Sequence, residues 1–520
     1  GSSTVADAWE PLRNAAATAR ASLLGAAAAQ WKLPVQELSV KDGVVSHSSG
    51  KSANYGALAA AAAGTAPGTV TPKDRKDWKL IGQPAPRIDI PAKINGTAQF
   101  GLDVRLPGML YAQARMSPML GGTVGSIDSK AALAMPGIER LVTLDAVGGS
   151  TAGFAVVGKT TWHARQAVAA VNAQWQQRAK GALDTVQIEA QLLAAIQPGA
   201  GNTFYEKGKS ADAESAAARV IEATYQAPYL AHATMEPMNC TAQVKDGKVE
   251  IWAPTQVPQM TRAMAAKVAG VDIDKVTLHT TLLGGGFGRR LDVDFVAQAV
   301  RVAMECGGKP VQLGWSREED TTHDFYRPMS VAKLYAAVDA QGAITSLRIH
   351  SAGDAISPRW MERGLPALSG PIDMPDKTTD EGLFDLPYGF ANQHMSHVAT
   401  RVGVPVGFWR SVGHSHNAFF SEGFIDELAA ETKQDPVAFR SALLKDAPRY
   451  LAVLKLAADK AQWGTPLPQG HARGVALHES FGTIVAEVVE VSLQDGKPRV
   501  HRVVCAVDCG TVVNPNIVAQ

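Results

Sequence analysis

Cysteine is scarce in this 520-residue chain. The four, Cys240, Cys306, Cys505 and Cys509, are too few and too scattered for a disulfide framework or for an iron–sulfur site with four thiolate ligands. Electrons that travel beyond one centre would therefore need another chain. Cys505 and Cys509 lie on an alternating segment, 499–511, where a strand puts both on one face, and two buried small hydrophobes are the simpler reading. Net charge is nearly absent too, at +1, which leaves no field to hold a nucleic-acid backbone. No apolar run reaches the roughly 18 to 20 residues needed to cross a bilayer, so membrane association has to come through a partner. The dinucleotide fingerprint Gly-x-Gly-x-x-Gly, the phosphate-loop Lys-Ser/Thr pair and the Gly-x-Ser-x-Gly elbow are all missing, which disfavours ordinary nucleotide binding and serine hydrolysis.

What remains is an ordinary globular composition, 46% apolar and 19% charged, long enough for two or more domains with a cleft between them. Helical spacing of Leu12, Ala16, Ala19, Leu23, Ala27 and Trp31 predicts a helix over 9–31 with Pro11 in its first turn. Residues 46–92 read as a connector apart from a short Ala-rich helix near Leu58. A compact α+β unit is expected from 96 to 177, with strands at 109–115 and 154–157 and a helix at 162–176. A larger mixed unit follows, 213–445, with strands at 249–253 and 275–283 and helices at 259–268 and 295–306. After a polar stretch at 463–473, strand-like runs stand at 485–493, 498–507 and 511–513, and no final helix is expected.

Three loops between these elements have the residue types that carry chemistry. Leu283-Gly284-Gly285-Gly286-Phe287-Gly288-Arg289-Arg290 joins a β-branched strand to an apolar-periodic helix. Glycines there can take positive φ and bring N–H groups to anionic oxygens. On spacing alone the run is a tight turn or a cofactor loop. Pro254-Thr255-Gln256 also follows a strand, and a glutamine can donate to an oxo group while accepting from a neighbour. Gly407-Phe408-Trp409-Arg410-Ser411-Val412-Gly413 sets aromatic residues beside an arginine, to line a pocket or to pack internally. His414 and His416, which could share a strand face, and His232 near Glu236 lack a third ligand at convincing spacing, so a protein-ligated zinc site is set aside.

Together these loops resemble the large subunit of the xanthine oxidase family of molybdenum hydroxylases, in its isoquinoline 1-oxidoreductase and bacterial aldehyde dehydrogenase branch. Gly284 to Gly288 is similar to that family's Gly-Gly-Gly-Phe-Gly loop, Thr255-Gln256 to its Thr-Gln pair and Phe408-Trp409-Arg410 to its Phe-Arg loop. Arg87, Asp89, Pro91, Lys93 and Gly96, followed by Asp103, Pro107-Gly108-Met109-Leu110 and Arg115-Met116-Ser117-Pro118, resemble its hammerhead domain. Val507-Asp508-Cys509-Gly510 with Asn514-Pro515 and Gln520 resembles a further cofactor segment. The opening Gly1-Ser2-Ser3-Thr4-Val5-Ala6-Asp7 resembles a cofactor-binding turn that in xanthine dehydrogenase lies late in the chain, the permuted order of the isoquinoline branch.

The resemblance implies an α+β (mixed α/β) fold: a hammerhead α/β domain over 95–180 and two molybdopterin-binding α+β domains. The first would span 210–450 and the second 1–75 and 470–520, with a linker at 76–94. It implies that Gln256, Phe287 and Arg410 serve catalysis at the metal. Ser2, Ser3, Thr4, Gln256, Gly285, Gly286, Phe287, Gly288, Arg410 and Gln520 would hold molybdopterin cytosine dinucleotide, with the molybdenum bound by the pterin and by no protein side chain. Leu291, Trp409 and Val412 would shape the substrate pocket: Leu291 stands where purine hydroxylases carry an acidic residue, Val412 where a stacking Phe is usual, and Trp409 replaces the Phe before the Arg. An aldehyde or N-heteroaromatic substrate is implied, with water as oxygen source. Electrons would leave through a small subunit with two [2Fe-2S] clusters, to a cytochrome c acceptor. The expected location is the periplasm, at the membrane through partners, with the cytoplasm as the alternative. The general base, a Glu in Gly-Glu-Pro-Gly, is expected beyond Gln520, and a Gly-Gln-Gly loop and an export signal ahead of residue 1. The rival readings are a non-catalytic cofactor-binding or assembly protein on the same scaffold, and a flavin or nicotinamide enzyme, which predicts a chromophore or fingerprint the sequence does not support.

Overall fold

The computed structural model describes residues 3–65, 67–370 and 375–520. They form two compact units, a smaller one of residues 1–88 with 511–520 and a larger one of 89–510.

In the smaller unit the first helix, Thr4–Trp31, begins five residues earlier than its apolar spacing predicts. Only its second half is covered: Leu23, Leu24, Ala27 and Trp31 pack with Val45 and Leu58, whereas Leu12 stays exposed. Residues 46–92 are more than a connector. Asp42 and Gly43 both take positive φ and close a hairpin between Ser39–Lys41 and Val44–Ser46, and Ser52–Asn54 adds a third strand. The segment 511–513, expected to be a strand, is irregular and pairs Val513 O with Gly82 N–H. A short helix, Pro515–Ala519, stands where none was expected, its start capped by Asn514.

The larger unit is built on three main sheets. The first has seven strands, in spatial order Val276–Thr280, Lys248–Ala253, Asn239–Lys245, Val311–Gly314, Leu110–Met116, Gly153–Gly158 and Ile138–Leu144. The stretch 95–180, expected to stand apart, thus gives three strands to a sheet shared with residues beyond 238. Leu110–Met116 and Val311–Gly314 pair in parallel along that junction. Helices Pro258–Ala269 and Asp294–Met304 cover this sheet. Phe295, Val296, Ala299 and Val300 are fully buried against Cys240, Ile251 and Val311. Each such large side chain contributes about 1.5–3 kcal/mol.

A five-stranded sheet, Arg219–Ala227, Ser330–Val338, Ile344–Asp354, Asn392–Thr400 and Asn202–Lys207, packs on helix His414–Glu431 through Phe420, Phe424 and Leu428. A meander of His471–Ser480, Thr483–Gln494 and Lys497–Asp508 completes the unit, its first strand starting inside the stretch read as polar.

The helix expected over 162–176 stops at Ala170, and Asn172–Gln176 is a strand paired with Thr123–Asp128. Period-two alternation there places Ala173 and Trp175 on one face, with Trp175 stacked 5.9 Å from Phe154, which outweighs the helix preference of the preceding alanines. Cys505 is exposed and Cys509 half-buried, so the expectation of two buried small hydrophobes fails: the strand ends at Asp508, and its central stretch faces outward. His414 and His416 stand on the first turn of a helix, not on a strand. No helix among the described residues is long and apolar enough to cross a membrane.

Candidate active site

Two of the three loops leave neighbouring parallel strands at the same level. Lys248–Ala253 pairs with Val276–Thr280 so that Ala253 stands opposite Thr280, with helix Pro258–Ala269 as the crossover. In such units ligands meet the carboxyl ends of the strands, where loops diverge. Thr255 Oγ1 accepts from Val257 N–H at 3.0 Å and lies 2.8 Å from Thr261 Oγ1, which fixes the entry to the helix. Gln256, exposed and just outside that helix, donates its N–H to Arg290 O at 3.0 Å.

The glycine loop closes onto Gln256, whose Oε1 accepts from Gly288 N–H at 3.2 Å. With the acceptor engaged, Gln256 Nε2 makes no hydrogen bond among the described residues and remains a donor on an exposed side chain. Each glycine answers a close approach. A Cβ would stand 2.2 Å from Glu236 Cβ at Gly284, 2.6 Å from Gln256 Oε1 at Gly286 and 1.7 Å from Phe408 O at Gly288. Gly285 and Gly288 also take φ of 101° and 111°, open to glycine at no steric cost.

Phe287, at φ 55°, projects from this loop 41% exposed. Its ring lies 5.4 Å from the guanidinium of Arg410, whose other ring neighbour is Trp409 at 5.1 Å. Arg410 is exposed and makes no hydrogen bond or ion pair among the described residues. Held by ring quadrupoles and not by a carboxylate, it keeps its fork of donors available. Ser411 and Val412 have φ of 67° and 49°. For a β-branched valine that is a strained conformation, costing of order 1–3 kcal/mol, and such residues cluster at working sites. Trp409 Nε1 donates to Ala231 O at 3.3 Å, and Trp360, which donates to Leu291 O at 3.2 Å, packs edge-on to Phe408. The structure thus gathers Gln256, Gly285, Gly286, Phe287, Gly288, Leu291, Trp409, Arg410 and Val412 in loops of one unit that meet at Gly288 and Phe408. Ser3 and Thr4, which open the first helix, and Gln520 belong to the smaller unit. Ser2 lies outside the described residues.

Sequence reasoning missed the base on which this surface stands. Arg289 and Arg290, the two arginines after the glycines, are buried. Arg289 forks onto Asp294 at 2.8 and 2.9 Å. Its Nε also lies 3.1 Å from Asp324 Oδ1, an ion-pair distance too oblique for a hydrogen bond. Arg290 donates to Gly285 O, Pro254 O, Glu236 O and Glu236 Oε2, so one guanidinium stitches both strand-end loops together. Burial lowers its pKa to about 10, Glu236 working against the shift, so it stays charged at neutral pH. Glu236 in turn accepts from Gly284 and Leu102 N–H, each at 3.0 Å. Arg363 closes on Asp292 at 2.8 and 3.2 Å. Burial pushes the Asp292 carboxyl up, and Arg363 pulls it back.

The donors fit a large, oxygen-rich anionic group: the amides of Gly285 and Gly286, those of Gly284 and Gly288 being taken by Glu236 and Gln256, with a carboxamide and a ring-held guanidinium. No cluster of three His, Cys, Asp or Glu placed to hold a metal ion occurs among the described residues.

Comparison with known proteins places this geometry. Residues 196–443 match the family model of the molybdopterin cofactor-binding domain, and residues 95–193 that of the a/b hammerhead domain of aldehyde oxidase and xanthine dehydrogenase. Over 99% of its length the chain is 31% identical to the beta subunit of the isoquinoline 1-oxidoreductase of Brevundimonas diminuta, covering 71% of that protein. It is 29% identical to a membrane-bound aldehyde dehydrogenase of Gluconacetobacter polyoxogenes, named for pyrroloquinoline quinone, again over 99% of this chain and 71% of that one. With a nicotinate dehydrogenase subunit of Pseudomonas putida it shares 27% identity over 97% of its own length but 44% of the relative's. Two solved structures share the fold: quinoline 2-oxidoreductase from Pseudomonas putida 86, with TM-score 0.58 and 19% identity over 79% of this chain, and aldehyde oxidoreductase from Desulfovibrio gigas, with TM-score 0.61 and 20% identity over 82%. The chain spans 58% and 53% of their lengths. The chain belongs to the xanthine oxidase family, as a molybdenum-binding subunit related to the isoquinoline 1-oxidoreductase branch.

Proposed function

We propose that this chain is the catalytic molybdenum-binding part of a hydroxylase that oxidises an aldehyde or an electron-poor carbon of an N-heteroaromatic ring, with water as oxygen source. The observation that carries this reading is the pairing of Gln256 Oε1 with Gly288 N–H, which joins two parallel strand ends and leaves Gln256 Nε2 as a donor beside the exposed Phe287. When bound, the molybdenum cofactor supplies the two-electron oxidant. The Gly285 and Gly286 amides and Arg410 would bind its oxygens, and Gln256 Nε2 would orient an oxygen ligand without giving up a proton. Leu291 brings no carboxylate for a purine to pair with, while Trp409 and Val412 shape a wall for a flat or aldehydic substrate. The names of relatives that act on isoquinoline, nicotinate and aldehydes support the substrate class. Electrons would leave through a small [2Fe-2S] subunit toward a cytochrome c, at the periplasmic face of the membrane, and the pterin would carry a cytosine nucleotide.

Molybdenum per chain in the native complex, with identification of the released cofactor, tests the reading. Near-stoichiometric metal with a cytosine dinucleotide is expected. A released quinone, or no molybdenum in repeated native preparations, overturns it in favour of a quinone enzyme or a non-catalytic binding protein. Gln256→Ala should then lower kcat by about 10- to 100-fold, the worth of one hydrogen bond to a charged group, with KM nearly unmoved. An unchanged kcat would remove Gln256 from the reacting centre.

A further inference from the structure

The Phe408 carbonyl is the point at which the two loops meet. On one side it fills the space left by the missing Cβ of Gly288, 1.7 Å from where that atom would stand. On the other it lies 2.8 Å from Nε2 of His232. The opposite nitrogen of that ring, Nδ1, lies 2.9 and 3.0 Å from the two oxygens of Asp324, which also accepts the backbone N–H of His232 and of Phe325. Every partner of the imidazole is therefore an acceptor. A carbonyl has no proton to give. Burial works to raise the Asp324 carboxyl, but the bonds and charges of His232 and Arg289 outweigh it and bring it below the usual carboxylate range. Nε2 therefore donates to the Phe408 carbonyl. Glu236, Asp292, Asp294 and Asp324 face Arg289, Arg290 and Arg363 in the same base. Asp320, also buried, takes its own cation from the rim, Arg317 at 2.7 Å.

We propose that His232 is a positioning residue: an imidazole, held by Asp324, whose Nε2–H pins the Phe408 carbonyl against Gly288 and so sets where Arg410 stands over Phe287. Its neighbour adds a second tie, Ala231 O accepting from Trp409 Nε1. Residues 231 and 232 thus grip the loop on either side of the bond between Phe408 and Trp409, just ahead of Arg410. Misplacement of a binding group by about 1 Å can cost on the order of 100-fold in rate. The catalytic consequence rests on the proposed function, whereas the pinning does not.

Two neutral amides separate the pin from mere burial. In His232→Gln the side-chain amide reaches the position of Nε2 and can still donate to Phe408 O. In His232→Asn it stops at the position of Nδ1 and cannot. Hydrogen–deuterium exchange of residues 404–413 in the full chain reads the difference directly. The Asn variant should exchange there at least 10-fold faster than wild type and lose molybdenum, while the Gln variant stays within about threefold on both counts. Two variants that behave alike, both protected or both released, would overturn the proposal. Should the Asn variant not accumulate, Gly288→Ala pushes the same carbonyl from the other side, and unchanged protection of 404–413 in that protein is equally fatal. Exchange is read on the chain itself, so preparations free of molybdenum still decide the pin. An intact Gln–Asn difference without any hydroxylase activity counts against the proposed function alone.

Discussion

The interior under the glycine loop and the interior around Asp380, at the first turn of helix His414–Glu431, are both polar and both buried, and they treat charge in opposite ways. Under the loop, arginines and carboxylates are matched at 2.8–3.2 Å, and the charges are kept. Around Asp380 they are given up. Burial raises Asp380 to about 7 and lowers His397 and His416 to about 4 and 3, so all three are uncharged through the mildly acidic range. Ser351 Oγ lies 2.7 Å from Asp380 and 2.8 Å from His397 Nδ1. Its single proton cannot serve both. Ser351 Oγ donates it to Asp380 Oδ1 and can accept from His397 Nδ1–H. Asp380 Oδ2, the Nε2 atoms of His397 and His416, and Asn417 Oδ1 have no hydrogen-bond partner among the described residues. Fixed charges hold loops in one place over a wide range of pH, which suits the base of a binding surface, whereas neutralised groups tolerate loose pairing because they carry no charge to strand.

The sharpest way to break this contrast is to remove one fixed charge. Arg289→Met keeps much of the volume but strands Asp294 and Asp324, and should cost about 3–5 kcal/mol in chemical denaturation. A loss under about 1 kcal/mol would mean that the base is not charged as its geometry says. Next in size is Gly288→Ala. A Cβ there must displace the Phe408 carbonyl by more than an ångström and hold φ near 111°, so overpacking and strain together should cost about 2–4 kcal/mol. Gly474, in an extended strand with nothing near its Cβ position, is the control. Gly474→Ala should stay within about 1 kcal/mol of wild type, and equal losses at the two glycines would show that the 284–288 loop is no tighter than an ordinary strand.

The same contrast explains what the sequence discloses. The strand-loop-helix pattern around Gln256 and Gly284 to Gly288 is local, written in glycines and in the switch from period two to period 3.6, and it stands where expected. Asp42-Gly43 is an equally local hairpin signal, but the polar, glycine-rich residues that follow it mask the strands on either side. The base is illegible for a different reason. His232 meets Asp324 and Phe408, which lie 92 and 176 positions away, and no spacing rule joins them. Its neighbour Glu236, which invites a metal reading with His232, turns instead to Gly284 and Arg290. Two consecutive arginines after a glycine run read as solvated charge, and they are among the most buried side chains in the chain because carboxylates from distant segments come to meet them.

The last prediction is the smallest and tests the neutralised side. Asp380 has a folded-state pKa near 7, above the usual unfolded value of about 3.9, so the folded chain holds a proton that the unfolded chain has released across that interval. Stability from this group is complete below about pH 4 and falls as pH rises toward 7. His397 and His416 are depressed instead, and their contribution falls as pH drops from about 6.5 toward 4, so in the intact protein the slopes partly cancel. Asp380→Asn lifts only the first slope. Its amide oxygen can accept from Ser351 Oγ as Asp380 Oδ1 does, and Glu381, raised to about 7 by burial and by neighbouring carboxylates, titrates in both proteins and drops out of the difference. The variant should gain about 1–2 kcal/mol over wild type between pH 5 and pH 7, at roughly 1.4 kcal/mol per unit at most, in paired denaturation curves. If instead the variant is destabilised most at pH 7, Asp380 is an anion at neutral pH, its charge is kept and paired, and the two interiors handle charge alike.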